Sequence, residues 1–179
     1  PQCNLTELVI NPLQLEDPIR NETQKRDNIY HALDPVYKAR PKELEPVTRI
    51  GIRGQETLWL LPGHPGFAEY ENTLSIAHQL SETIGPVRNI PGSLRHLINI
   101  TAKQYNIDYV FVDVSPSLGS LNQNIVATSN RLIVPLCPDL FSGQAIETLS
   151  RTIPKWINWA DRASKLDILQ DADYPFPAP

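Results

Sequence analysis

The chain has 179 residues, of which 41% are hydrophobic and 20% are charged, and its formal net charge is −4. This composition is sufficient for one globular domain with a substantial core. No apolar run approaches the roughly 18 residues of a membrane span, and the first residues do not resemble a signal peptide, so we expect a cytoplasmic protein. The net charge gives no overall argument for nucleic-acid binding, although a local basic patch remains compatible with it.

The two cysteines, Cys3 and Cys137, are far apart in sequence and belong to no C-x-x-C motif. We therefore predict buried thiols and neither a disulfide framework nor a metal centre. The four histidines, His31, His64, His78 and His96, lack the spacing of metal ligands and receive no functional role. The chain begins with Pro1, contains no methionine and ends in a proline-rich stretch, which leads us to expect a fragment.

The periodicity of apolar residues and the positions of Gly and Pro predict an alternation of helices and strands. The predicted elements are a short helix after Asn4 with Glu7 as a capping box, a helix at 27–40, strands at 47–52 and 57–61, helices at 67–84 and 94–105, the second capped by Ser93, a strand at 109–112, a helix at 121–129, a strand at 131–136, and a helix at 142–163 disturbed at Pro154. We predict an irregular, partly helical segment at 11–56 and an extended tail at 166–179. The alternation predicts one α/β domain with a doubly wound, mostly parallel sheet and flanking helices.

The most informative segment is residues 108–119, DYVFVDVSPSLG. Its apolar run is typical of a buried parallel strand, and open α/β sheets bind their ligands beyond the carboxyl ends of such strands. Asp113 follows the run directly, where a carboxylate can orient the water shell of a nucleotide-bound Mg²⁺. The alternative is an aspartate that caps the following turn through its side-chain oxygen.

Three blocks of the sequence resemble ParA/MinD-type partition ATPases, which carry a deviant Walker A loop. Residues 108–149 resemble the Walker B strand and the segment after it, PQCNLT at the start resembles the second half of a D-x-D-P-Q-x-N-x-T motif, and LWLLPGHPGFAEYENTL at 58–74 resembles the next strand and helix. Agreement of three blocks in order is stronger than any one short motif. The fold that the resemblance implies is that of P-loop NTPases, here in incomplete form.

The resemblance implies ATP and Mg²⁺ as cofactors and assigns roles to particular residues. Asp113 would hold Mg²⁺, through water, and Ser115 and Pro116 would belong to a switch loop near a dimer interface. The family has a second proline where this chain has Ser115, which leaves the rigidity of the loop open. The remaining residues of the implied nucleotide and switch site are Gln2, Asn4, Thr6, Asn124, Pro138 and Asp139.

Simpler structural roles remain open for several of these residues. Asn4 can cap a helix, and Asn124 can be a solvated polar residue. The loop containing Pro138 and Asp139 can be stiffened by proline and pack on Phe141.

The sequence contains no G-K-T or G-K-S motif, so the phosphate-binding loop that the family requires is missing from these residues. In the family this loop precedes the position of Pro1, and we expect the fragment alone to be inactive. The parent would be an ATPase for plasmid or chromosome partitioning that forms ATP-dependent homodimers, binds DNA nonspecifically and responds to a ParB-like partner.

A basic face of the last long helix would contact DNA or simply face solvent; it carries Arg151, Lys155, Arg162 and Lys165. The alternatives for the whole protein are a catalytically dead remnant or interaction module, and a related ATPase for division-site placement or cellulose synthesis.

Overall fold

The computed structural model describes residues 5–6, 27–40, 42–52, 54–80 and 87–177. The predicted capping box of Asn4 and Glu7 lies outside these residues. The elements are α1 (Ile29–Tyr37), β1 (Ile50–Ile52), β2 (Gln55–Leu60), a 3-10 turn (Pro65–Ala68), α2 (Glu69–Leu80), α3 (Ile90–Tyr105), α4 (Ser120–Thr128), α5 (Leu140–Ala163) and α6 (Asp167–Gln170). Among the described residues no helix combines the length and the apolar character needed to cross a membrane.

Helices α1 to α5 occur where the periodicity predicts them, with shifted ends. The helix predicted at 67–84 begins as the 3-10 turn and becomes α-helical at Glu69. Ser93 was predicted as a helix cap, and this is wrong, because α3 begins three residues earlier and has a proline in its first turn. Proline is well suited to that position because it has no N–H to leave unpaired. Ser93 is instead fully buried inside the helix, and its hydroxyl donates a hydrogen bond to the Ile90 carbonyl at 2.8 Å.

One sheet is present in the part of the chain that the structure describes, and it has two antiparallel strands, β1 and β2. The predicted strands at 109–112 and 131–136 form no β-ladder there, so the doubly wound parallel sheet is not seen. A strand exists only through backbone hydrogen bonds to a neighbour, and no described segment pairs with these two. Their apolar side chains are consequently exposed, with 78% of Phe111 and 72% of Ile133 accessible to solvent.

The core consists of two clusters of buried side chains. The first joins α1, α2 and α3 through Leu33, Leu74 and Leu97, each of which is at most 1% exposed. The second joins α4, α5 and the segment after α5; its buried members are Ala127, Ala160, Ala163, Leu169 and Phe176. Three alanines in this second set let the helices approach closely, since a small side chain keeps the backbones near each other.

The described part of the segment predicted as an extended tail, residues 166–177, is instead folded onto the domain. It contains α6, and beyond that helix Phe176 is 1% exposed. Tyr174 is also buried, and its hydroxyl accepts a hydrogen bond of 3.0 Å from the Leu44 backbone N–H.

Cys137 was predicted to be a buried thiol, and this is wrong, because it is a free and exposed thiol.

Gly92 of α3 lies close against the backbone of this tail. A β-carbon at Gly92 would lie 2.1 Å from the Tyr174 carbonyl oxygen and 2.7 Å from that of Pro175. Both atoms belong to the backbone and cannot turn aside. A side chain at Gly92 would therefore push the tail off α3.

We expect Gly92→Ala to lower the free energy of unfolding by about 1–3 kcal/mol, the range typical of overpacking. Gly143→Ala in α5 is the matched control, because a β-carbon at Gly143 would meet no atom within 4 Å apart from the backbone of its own helix turn and its chain neighbours. That change should stabilise the protein by roughly 0.5–1 kcal/mol through helix propensity. Urea unfolding of both variants measures the difference, and equal effects would contradict the contact between Gly92 and the tail.

Candidate active site

Asp113 lies in an exposed segment between α3 and α4, and its neighbours in sequence are exposed apolar residues. No group of three or more His, Cys, Asp or Glu side chains that could hold a metal ion occurs among the described residues. A lone carboxylate fits Mg²⁺, which usually keeps several waters and is held by one or two carboxylates together with substrate phosphates. The same lone carboxylate would not hold a structural zinc ion, which needs four ligands.

A tight turn begins two residues after Asp113. The Ser117 N–H donates to the Ser115 carbonyl at 2.8 Å, a hydrogen bond across one residue that defines a γ-turn centred on Pro116. The fixed φ of proline suits the central position of such a turn. The hydroxyl oxygens of Ser115 and Ser117 lie 3.2 Å apart and form a further hydrogen bond. The side chains of all three residues are exposed.

The side chain of Asn122 in α4 forms hydrogen bonds with this turn. Its side-chain amide nitrogen donates to the Ser115 carbonyl at 2.6 Å and to the Ser117 carbonyl at 2.7 Å. Asn122 is 5% exposed. The sequence left the rigidity of the loop open because a serine replaces a proline at position 115; in the structure Asn122 supplies the constraint. Sequence reasoning missed this residue, and the available signal was an amide within the first turn of a helix that follows a turn of small residues.

Asn124, which the resemblance places in the nucleotide and switch site, forms no hydrogen bond with the turn at 115–117. Its amide nitrogen donates to the Pro91 carbonyl at 2.9 Å and lies 3.4 Å from Nε2 of His78. Asn124 is 1% exposed, which also contradicts the alternative of a solvated residue. The two asparagines lie two positions apart on α4, and side chains at that spacing point in different directions around a helix. Asn124 therefore joins α4 to α3 and α2.

His78 occupies the same interior site. Its ring lies 4.2 Å from the Trp159 ring, and burial lowers the pKa of His78 from 6.5 to about 4. Nδ1 of His78 and Oδ1 of Asn124 are buried without a hydrogen-bond partner among the described residues. His78 is thus a neutral interior residue between three helices, a structural role that the sequence did not reveal.

Asp139 serves as the N-cap of α5. Its Oδ1 accepts a hydrogen bond of 2.7 Å from the Ser142 N–H. The Ser142 hydroxyl in turn accepts from the Cys137 N–H at 3.2 Å. The predicted packing of this loop on Phe141 is wrong, because 78% of Phe141 is exposed. Pro138 is exposed beside the cap and lies in the same loop.

Thr6 connects the opening motif to the turn after β2. Its hydroxyl accepts a hydrogen bond of 2.9 Å from the Gly63 N–H. In the same turn Nδ1 of His64 accepts from the Gly66 N–H at 3.0 Å, and the ring of His64 stacks on Tyr30 at 4.9 Å. His64 is therefore partly buried and caps the 3-10 turn. The other two residues predicted from the opening motif, Gln2 and Asn4, lie outside the described residues.

Two of the four cations in α5 and just beyond its end are paired with acids of α5. Arg151 contacts Glu147, and Lys165 contacts Asp161 at 2.7 Å. No ion pair is seen for Lys155 or Arg162 within the ranges that the structure covers, and both are exposed. The face carries alternating charges and not a continuous basic stripe.

A family model described as an AAA domain matches residues 1–168, which is most of the chain. The chain belongs to this AAA domain family. The family comprises P-loop ATPases of the ParA/MinD kind, so the match confirms the P-loop NTPase superfamily predicted from the sequence, whereas the doubly wound parallel sheet is not seen in the described residues. The AAA domain family generally uses a nucleotide and Mg²⁺.

The structure is also similar to that of the protein DIP2308 from Corynebacterium diphtheriae, with a TM-score of 0.70 and 26% sequence identity. The similarity covers 89% of this AAA domain chain and 55% of the other. The chain thus spans about half the length of this structural relative. None of the curated proteins matches the chain.

Asp139→Ala should lower the free energy of unfolding by about 1 kcal/mol, because the N–H groups of the first turn of α5 lose their cap. Asp139→Asn keeps a capping oxygen and serves as the matched control. Thermal unfolding of the two variants checks the expectation. Equal losses of stability would show that the charge of Asp139 matters and that its capping oxygen does not.

The buried His78 predicts a pH dependence of stability. The unfolded chain takes up a proton at the ordinary pKa of 6.5, whereas the folded protein resists protonation until about 4. The stability that the protein gains from the neutral form of His78 is therefore complete above pH 6.5. As the pH falls toward 4, the free energy of unfolding decreases by on the order of 3 kcal/mol. In His78→Gln this loss should disappear from urea unfolding measured between pH 7.5 and 4.5. It should persist in the control His96→Gln, and its persistence in His78→Gln would contradict the assignment.

Proposed function

We propose that this chain forms the Walker B portion of a ParA-type ATPase and that Asp113 is the carboxylate through which it holds Mg²⁺, by way of water. The observation that carries the proposal is the exposed Asp113 followed by a tethered turn of small residues within an AAA domain. Mg²⁺ bound with ATP would neutralise charge on the β- and γ-phosphates. Asp113 would orient the water shell of that ion, and the turn at 115–117 would lie beside the nucleotide.

The exposed apolar segments support a larger sheet in the active protein. Residues 109–112 and 131–136 have the β-branched and aromatic composition of buried parallel strands, yet their side chains face solvent. Burial of such side chains in a sheet would release about 25 cal/mol for each Å² of apolar surface. We propose that both segments are strands of the doubly wound parallel sheet, and that sequence outside these residues supplies the phosphate-binding loop.

The remaining parts of the proposal concern assembly and cellular role. The protein would form ATP-dependent homodimers in the cytoplasm, with Pro138 and Asp139 bordering the nucleotide and the partner subunit. A ParB-like protein would stimulate hydrolysis during plasmid or chromosome partitioning. Nonspecific DNA binding would depend on Lys155 and Arg162, whose charges no described acid neutralises on α5.

A different class of function is an interaction module that retains the fold without catalysis. The absence of G-K-T and G-K-S from the sequence favours this alternative for residues 1–179 in isolation. Tight, Mg²⁺-dependent binding of ATP by these residues alone would argue against it. ATPases for division-site placement or cellulose synthesis are also compatible with the family.

In the full-length protein, Asp113→Ala should reduce Mg²⁺-dependent ATP hydrolysis to background. The fold should survive, because Asp113 is exposed and surface substitutions usually change stability by less than about 0.5 kcal/mol. Phosphate release measures the activity, and the melting temperature reports the fold.

Asp108→Ala is the matched control, since Asp108 is also an exposed aspartate of the same segment. This variant should keep its turnover. Unchanged hydrolysis in Asp113→Ala would overturn the metal role, and a wild-type protein that neither binds nor hydrolyses ATP would overturn the proposed function itself.

A further inference from the structure

Asn122 is the one described residue outside the turn at 115–117 that forms hydrogen bonds with it. The other hydrogen bonds seen for the turn are internal, from the Ser117 N–H to the Ser115 carbonyl and between the two hydroxyls. The side chains of the turn are exposed and contribute no packing from a core. The position of the turn relative to the rest of the domain therefore depends on the Asn122 amide.

The amide of Asn122 is suited to this task because its nitrogen has two N–H donors, one for each carbonyl. A serine or threonine hydroxyl has a single donor, and an aspartate at neutral pH has none. The oxygen of the amide could not replace the nitrogen here, since it would face two carbonyl oxygens. The two bonds of 2.6 and 2.7 Å are short for N–H···O hydrogen bonds.

The helix that carries Asn122 is itself fixed. Two residues further along α4, Asn124 is bound to the Pro91 carbonyl of α3, and Ala127 is 1% exposed against α5. Leu121 belongs to the first core cluster. Because α4 is fixed in the core, the two hydrogen bonds from Asn122 fix the turn relative to the core.

We propose that Asn122 is a positioning residue that holds the turn at 115–117 and, with it, the backbone that carries Asp113. This inference rests on the proposed function, because the position of Asp113 matters only if Asp113 orients Mg²⁺. Groups that orient metal ligands typically change metal affinity or activity by about 10–100-fold when they are lost. Asn122 would act in this way without contacting the metal or the nucleotide.

The test uses Asn122→Asp in the full-length protein, with Gln123→Glu as the matched control. Both changes convert an amide into a carboxylate at neighbouring positions of α4, but Gln123 has no hydrogen bond to the turn. Asn122→Ala is a second variant that removes both donors without burying a charge. Melting temperatures identify any variant that fails to fold.

Two measurements separate the tether from its role in the reaction. Exchange of the Ser117 amide hydrogen, which is bonded to the Ser115 carbonyl, should become at least about tenfold faster in Asn122→Asp and Asn122→Ala, as expected when the turn loses the two hydrogen bonds that hold it. The Mg²⁺ concentration that gives half-maximal ATP hydrolysis should rise by about tenfold in the same variants. Gln123→Glu should leave both quantities unchanged. A partly unfolded preparation would lower the maximal rate without changing the Mg²⁺ dependence.

Unchanged exchange in both Asn122 variants would overturn the tether. Faster exchange with an unchanged Mg²⁺ dependence would overturn the positioning role and leave the proposed function intact. A wild-type protein without ATP hydrolysis would overturn the proposed function, and the positioning role with it, while the exchange data would still report whether Asn122 holds the turn.

Discussion

Buried side-chain N–H donors must find acceptors, and this requirement organises the structure around α4. The Asn122 amide nitrogen meets it with two carbonyls of the turn after Asp113, and the Asn124 amide nitrogen meets it with a carbonyl of α3. An unpaired polar group in the interior costs about 1–3 kcal/mol, so each asparagine favours one arrangement of its neighbours over the alternatives. One short helix thereby connects the candidate metal carboxylate to the core.

The helices could be predicted from the sequence because their signals are local. Apolar periodicity located α2 to α5 within a few residues, and α5 continues through Pro154 although proline lacks an N–H for the helix. The start of α3 was predicted too late because serine is a common helix cap. Pro91 is the better sign of where this helix begins. Strands are different, since β-structure requires a partner segment. The composition of 109–112 and 131–136 indicates strands, but nothing in a single segment determines whether a neighbour is present.

The candidate site could be predicted only in part, for a related reason. Asp113 and the turn of small residues are visible as a motif, and the family assignment agrees with that motif. The direction of a side chain on a helix, however, depends on how the helix docks. Asn124 matched the family pattern and points into the core, whereas Asn122 matched no pattern and holds the turn. Motifs identify the residues of a site, and packing decides which of them meet.

The hydrogen bond between the Leu44 N–H and the Tyr174 hydroxyl joins residues 130 positions apart in the chain. Ribosomes add about 5–20 residues each second, so the emerging protein spends on the order of 10 s with its first core cluster lacking this tyrosine. During that interval Leu33, Leu74 and Leu97 can assemble around α1 to α3, but the side of α3 that carries Gly92 stays uncovered. Completion of the core must therefore wait until synthesis has passed Tyr174, so this part of the domain closes late although its three helices are made early.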